Sequence, residues 1–273
     1  MFSQLNKPLI MGILNVTPDS FSDGGKYSGL NNALKQVERM LAEGVDIIDI
    51  GGESTRPGSD SVAASEQLQR VIPVITAIRQ QLKSEILISI DTTSSVVAKA
   101  ALAAGANIIN DVSAGQDDEA ILALAAQTGV PIILMHSQGT PKTMQDSPYY
   151  DDVVREVIDS LKKRTYAAIK AGIKKENIAI DPGIGFGKRK QDNLDLLAHL
   201  DAIVALGFPV LLGASRKRFM GILCDVTEPA ELVTATAVTT ALGIMAGVRI
   251  FRVHDVKENR QAADVAEAIK QRR

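Results

Sequence analysis

Between Gly105 and His136 the chain reads G-A-N-I-I-N-D-V-S-A-G-Q-D-D-E-A-I-L-A-L-A-A-Q-T-G-V-P-I-I-L-M-H. Gly105 stops one helix, and an apolar strand, Asn107–Ile109, begins at once. That strand runs out into two polar residues, Asn110 and Asp111. Asp117, Asp118 and Glu119 then open a helix, at the end where its dipole favours negative charge. Gly129 stops this helix in turn, with Pro131 just beyond it, and a second apolar strand, Ile132–Met135, runs out into His136. Glycine takes up the left-handed conformation that closes a helix, and proline cannot continue one. The stretch is therefore a strand–helix–strand unit with a polar residue after each strand.

The same punctuation extends in both directions. Helical patterns also stop at Gly44, Gly172, Gly207 and Gly247. Further apolar strands are expected at Leu9–Leu14, Val45–Ile50, Ile86–Ile90, Ile178–Ile180, Val210–Leu212 and Arg249–Val253. Most are continuous apolar runs, the mark of parallel strands buried on both faces. Between them lie amphipathic stripes such as Leu34, Val37, Leu41 and Leu68, Val71, Ile72, Ile75, Ile78, Leu82, the second interrupted by Pro73, where a kink is expected. Eight strands alternating with eight helices in 273 residues predict a single α/β domain, a (β/α)8 barrel of the TIM type, which typically needs about 250 residues. An open, doubly wound sheet is the second choice.

Composition narrows the function. With 45% hydrophobic and 23% charged residues the chain makes a packed core. A formal net charge of -2 supplies no general field for nucleic acid or an anionic membrane, so any anion site is local. One cysteine, Cys224, excludes an internal disulfide and a cysteine zinc cluster and suits a reducing compartment. Met1 to Pro8 lacks the basic and apolar regions of a signal peptide. No apolar run spans a bilayer; the best candidate, Leu232 to Gly247, is short and holds four threonines. The expected location is cytoplasmic. That segment carries no charge on any face, so its outer side is expected to be covered by a partner.

A polar residue follows every strand: Asn15, Glu53 with Thr55, Asp91, Asn110 with Asp111, His136, Asp181, Ser215 with Lys217, and Arg252 with His254. Barrel enzymes build their sites on this rim. Helix capping is the alternative reading, but Ser94 and Ser95 stand closer than Asp91 to the next helix. The loops after strands one and two, Asn15 to Gly29 and Gly51 to Ala64, are long and rich in small residues, as lids are.

Several motifs are recognisable together. Asn15–Gly25 reads N-V-T-P-D-S-F-S-D-G-G, Gly51–Gly58 G-G-E-S-T-R-P-G, Ser89–Thr92 S-I-D-T and Ile109–Asp111 I-N-D. Asp181–Lys188 reads D-P-G-I-G-F-G-K, Ser215–Lys217 S-R-K and Arg252–Val256 R-V-H-D-V. In this order the set resembles the dihydropteroate synthases, from about Leu9 to the C-terminus. Phe251, and the basic pair Arg189 and Lys190, depart from the expected pattern.

The resemblance implies an enzyme that condenses 6-hydroxymethyl-7,8-dihydropterin diphosphate with p-aminobenzoate, releasing pyrophosphate, with Mg²⁺ as cofactor and a homodimer as the assembly. By similarity, Asp181 accepts the paired amino and ring N–H groups of the pterin, a charge-assisted bidentate contact. Asn110 and Asp91 read its other polar atoms. Arg252 and His254 hold the diphosphate with help from Arg56, and Asn15 matches the position associated with Mg²⁺. Lys217 contacts the pterin and borders the p-aminobenzoate pocket, whose wall is Thr55, Pro57, Phe186 and Ser215 with Phe21. Asp91, Lys217, Arg252 and His254 are the expected catalytic set. The aryl amine is already neutral and nucleophilic at pH 7, so a dissociative substitution without a general base is expected, driven by positioning and electrostatics. Two alternatives share the pterin-binding barrel: a methyltetrahydrofolate–corrinoid methyltransferase and a non-catalytic paralogue. A generic sugar-phosphate barrel is the fallback.

Overall fold

A computed structural model describes residues 7–16, 26–54, 58–82, 84–140 and 142–272. Its strands are β1 (Leu9–Asn15), β2 (Ile47–Gly51), β3 (Leu87–Asp91), β4 (Ile108–Asp111), β5 (Ile132–Met135), β6 (Ile178–Asp181), β7 (Leu211–Leu212) and β8 (Ile250–Val253). The helices are α1 (Lys26–Ala42), α2 (Ala64–Gln80), α3 (Ser95–Ala104), α4 (Ala120–Thr128), α5 (Val153–Lys170), α6 (Lys190–Ala198), α7 (Leu200–Val204), α8 (Arg218–Cys224), α9 (Val233–Ala246) and α10 (Val256–Lys270). The parallel strands neighbour one another in the order β6-β5-β4-β3-β2-β1-β8-β7. A single bridge between Ile180 and Val210 joins the two ends, with the Ile180 N–H donating to the Pro209 carbonyl at 2.9 Å. The result is a barrel, not an open sheet.

Two cores follow from the period-two alternation of each strand. One face packs outward: Val37, Ile75, Ile78, Val97, Leu161 and Ile244 of the helices are buried against it. The other face fills the barrel with Leu9, Met11, Ile47, Ile108, Ile133, Ala179, Leu211 and Ile250. Along the strands this inner face turns polar toward the carboxyl end. Ile47 gives way to Asp49, Leu87 to Ser89 and Asp91, Ile108 to Asn110, Ala179 to Asp181, and Ile250 to Arg252. The barrel is an apolar plug below and a polar mouth above.

The six helix-stop glycines all have positive φ, from 69° to 116°. Ser94 caps α3, accepting from the Val97 N–H at 3.5 Å. Asp118 accepts from the N–H groups of Ala120 and Ser95, tying the starts of α4 and α3 together. Phe251 is accommodated by Gly243 of α9, where a Cβ would lie 2.8 Å from its ring.

The differences from expectation are local. Ten α-helices are described where eight were expected: His199, at φ -119° and ψ 34°, divides α6 from α7, and α8 is an added short helix after β7. Several strands run further than their apolar runs, so Asn15, Asp91, Asp111 and Asp181 are last residues of strands rather than followers. A third long loop, residues 136–152, joins β5 to α5.

Candidate active site

At the polar mouth, Asp91, Asn110, Asp181, Phe186, Lys217 and Arg252 line a narrow slot within the barrel. The slot opens into a cavity of about 990 Å³ that shares Phe186, Lys217 and Arg252 and adds Asn15, Ser215 and His254. The structure thus gathers all the predicted site residues that it describes. Phe21, Thr55, Arg56 and Pro57 lie outside the described residues.

Arg252 is gripped from two strands. Its Nε donates to Asp49 Oδ2 and its Nη2 to Asp91 Oδ2, both at 2.6 Å. The capping reading of Asp91 therefore fails, since its carboxylate holds a guanidinium. Burial lifts the Asp91 pKa to about 7 despite the opposing Arg252 charge, because Asp49 shares the same cation and Asp111 and Glu53 add repulsion. Burial works against the Arg252 charge, but the two carboxylates win and raise its pKa above the ordinary guanidinium value. Asn110 donates Nδ2 to Asp49 Oδ2 at 3.2 Å. Asp111 serves its own loop, accepting from Ser113 and from the Gly115 N–H. Glu53 likewise braces the second loop through the Val62 N–H and Gln67.

Asp181 ends β6 fully buried. Burial raises its pKa to about 6, offset by the Gly183 N–H that Oδ1 accepts at 2.7 Å and by the charges of Lys217, Lys188 and Arg252. The loop that follows is wound around a lysine. Lys188 is 3% exposed and donates Nζ to the Gly183 carbonyl at 2.8 Å and the Phe186 carbonyl at 3.0 Å, with His136 Nδ1 at 3.0 Å. Burial brings its pKa down to about 7. Burial, then the Lys188 charge, lowers His136 to about 3, so this imidazole is neutral and structural. The Tyr150 hydroxyl donates to the Gly187 carbonyl, and the Gly185 N–H to Asn193 Oδ1, so the loop presents Phe186 rigidly.

The three adjacent cations after β7 are sorted by their contacts. Arg216, at φ 56°, turns back to form a two-point ion pair with Asp255. Arg218 is exposed. Lys217 lies over the Phe186 ring, 4.2 Å from its centroid, with its stem against Gly185. Ser215 Oγ accepts from the His254 N–H at 3.1 Å and lies 2.9 Å from His254 Nδ1. Arg189 pairs with Asp192 at the start of α6 and lies over Tyr149, away from the slot.

Sequence reading missed Asp49 and Lys188. Asp49 stands in the middle of an apolar strand, where a charge is costly unless partnered, and that cost was the available signal. Lys188 was visible only as the end of a glycine motif.

This arrangement, a barrel with a buried carboxylate–amide slot at its mouth, defines a class: residues 11–254 match the family of pterin binding enzymes. A dihydropteroate synthase of Streptococcus pyogenes serotype M6 is 51% identical over 257 residues, covering 94% of this chain and 93% of that protein. A Xanthomonas albilineans dihydropteroate synthase solved with 4-aminobenzoic acid superposes with a TM-score of 0.90 at 45% identity, covering 97% of this chain and 94% of that one. A structure of the enzyme from that organism in complex with 7,8-dihydropteroate gives 0.85 at 38% identity, covering 98% and 94%. The chain belongs to the dihydropteroate synthase family and is a transferase.

Proposed function

We propose that the slot and cavity together join 6-hydroxymethyl-7,8-dihydropterin diphosphate to p-aminobenzoate, giving 7,8-dihydropteroate and pyrophosphate. The observation that carries this reading is the buried set Asp181, Asn110 and Asp91, opening directly onto Arg252, His254 and Asn15. The ligands named in the two Xanthomonas structures support it. Asp181, Asn110 and Asp91 read the pterin edge. Phe186 and Ser215 border the aminobenzoate, with Phe21, Thr55 and Pro57 contributed by the two long loops, while Arg56 helps with the diphosphate. The bond from the exocyclic pterin carbon to the diphosphate oxygen breaks, and its electron pair leaves with pyrophosphate. The amine lone pair forms the new C–N bond, and the ammonium proton passes to solvent. Arg252 and His254 stabilise the departing charge, while buried Asp91 and Asp181 favour the electron-poor ring.

Among the described residues no three His, Cys, Asp or Glu side chains converge on a metal position. Asn15, a neutral oxygen donor at the mouth, would hold Mg²⁺ together with substrate phosphate. Bound there, Mg²⁺ would neutralise diphosphate charge. Incubation with both substrates and Mg²⁺ is expected to yield dihydropteroate and pyrophosphate in equal amounts. Pterin binding without product would indicate a non-catalytic paralogue, and methyl transfer from methyltetrahydrofolate to a corrinoid the other enzyme class.

The working unit is a homodimer. α9 exposes Val238 and Leu242, one turn apart, and its packed neighbour α10 exposes Val265 and Ile269, each residue more than half accessible. A paired apolar face of this kind is covered in a stable protein. Light scattering at micromolar concentration is expected to give a dimer, and a monomer mass would refute the assembly. No helix among the described residues is long and apolar enough to cross a membrane. The exposed thiol of Cys224 suits a reducing cytoplasm.

A further inference from the structure

Asp49 is the inward residue at the centre of β2, completely buried, in register with Ile13 of β1 and Ser89 of β3. It lies below the slot and does not line it. Its Oδ2 accepts from Arg252 Nε and Asn110 Nδ2. Its Oδ1, like the hydroxyl of neighbouring Ser89, is buried with no hydrogen-bond partner among the described residues. A buried carboxylate with one oxygen unanswered is a poor device for stability. Its contacts indicate another use. A guanidinium is a planar fork, and one carboxylate at one nitrogen leaves the plane able to swing. Asp91 holds Nη2 and Asp49 holds Nε, so together they fix the plane. A carboxylate also can only accept. Asp49 therefore dictates that the Asn110 amide points its nitrogen down into the barrel, which settles the end offered to the slot.

We propose that Asp49 is a positioning residue that sets the plane of Arg252 and the polarity of Asn110 for the reaction at the mouth. The inference rests on reading the slot as the pterin subsite. The test uses the full chain and begins with turnover of the unaltered protein, which checks that reading by itself. Asp49→Asn keeps the shape and removes both the charge and the acceptor-only constraint. It is expected to lower kcat about ten- to a hundredfold, the cost of small misplacements, with KM for p-aminobenzoate changed less than about twofold. Its melting temperature should not fall. In an Arg252→Gln background the effect on activity should disappear. There Asp49→Asn should cost no further activity and should raise the melting temperature, because it removes a carboxylate that has lost its cation. If Asp49→Asn is insoluble alone, the paired variant and Arg252→Gln still decide the matter by their equal kcat. An active unaltered protein whose Asp49→Asn variant keeps full kcat overturns the proposal, as do losses in kcat that simply multiply in the double variant.

Discussion

Replacing Asp181 by asparagine is expected to lower pterin affinity at least about tenfold while leaving the fold intact. The fold should survive because an asparagine Oδ1 still accepts the Gly183 N–H that Asp181 accepts at 2.7 Å. The loss comes from the other position, where an acceptor becomes a donor facing pterin N–H groups. A charged hydrogen bond contributes about 1.5–3 kcal/mol, and an unanswered partner adds to the cost. Protonation should imitate the substitution. With its free-protein pKa raised to about 6, Asp181 is an acceptor above that value and loses the role below it. Affinity should therefore be flat at high pH and weaken as pH falls through about 6. Asp91, raised to about 7, acts in the same direction. In Asp181→Asn the component near pH 6 should vanish. Calorimetric titration with a non-reactive pterin reads both effects, and unchanged affinity at pH 8 would refute the assignment.

A larger effect on stability is expected from Gly183→Ala. Gly183 has φ +68°, and a Cβ there would lie 1.8 Å from the His136 carbonyl oxygen, which is backbone and cannot swing aside. The loop would be pushed off β5, taking the carbonyl that Lys188 binds and the N–H that holds Asp181. Left-handed strain of about 1–2 kcal/mol and overpacking of about 1–3 kcal/mol together predict a loss near 3 kcal/mol, with pterin binding abolished. Gly58→Ala is the control: its φ is +83° but no described residue lies within 4 Å, so the strain is the cost expected there. Denaturant midpoints giving equal losses for the two variants would show that the contact with His136 is not tight.

The barrel was legible because its grammar is local. Each helix-stop glycine and apolar run is a short-range decision, and the structure reproduces the order of all eight strands. Boundaries slipped by a residue or two because polar inward residues such as Asp91 and Asp181 extend strands that hydrophobicity alone cuts short. The long loop at residues 136–152 was not anticipated, since its turn residues lie among apolar ones such as Met144 and Tyr150, both buried. Arg252 was read as a phosphate cation. Its clamping between Asp49 and Asp91 joins residues 203 and 161 positions apart, a relation that no local pattern carries. Lys217 could be told from Arg216 and Arg218 only by motif. In space, the positive φ of Arg216 makes the distinction by turning one side chain out and the next one in.

The barrel has a zipper with one tooth. Between β6 and β7 the ladder is reduced to the bridge from Ile180 to Val210, and β7 itself is two residues long. Backbone amides at such a junction exchange with solvent through small openings, while those in the longer ladders wait for global unfolding. Asp181 stands on one side of this junction and Gly213, Ser215 and Lys217 on the other, with Gly213 placed so that a Cβ would lie 3.7 Å from Asp181 Oδ2. A ligand held by Asp181 and Lys217, as proposed, would therefore fasten the sheet at its least fastened place. Occupancy of the mouth would become the missing rung, and the protein with its pterin bound is expected to resist local opening as a closed cylinder does, rather than as a sheet pinned at one point.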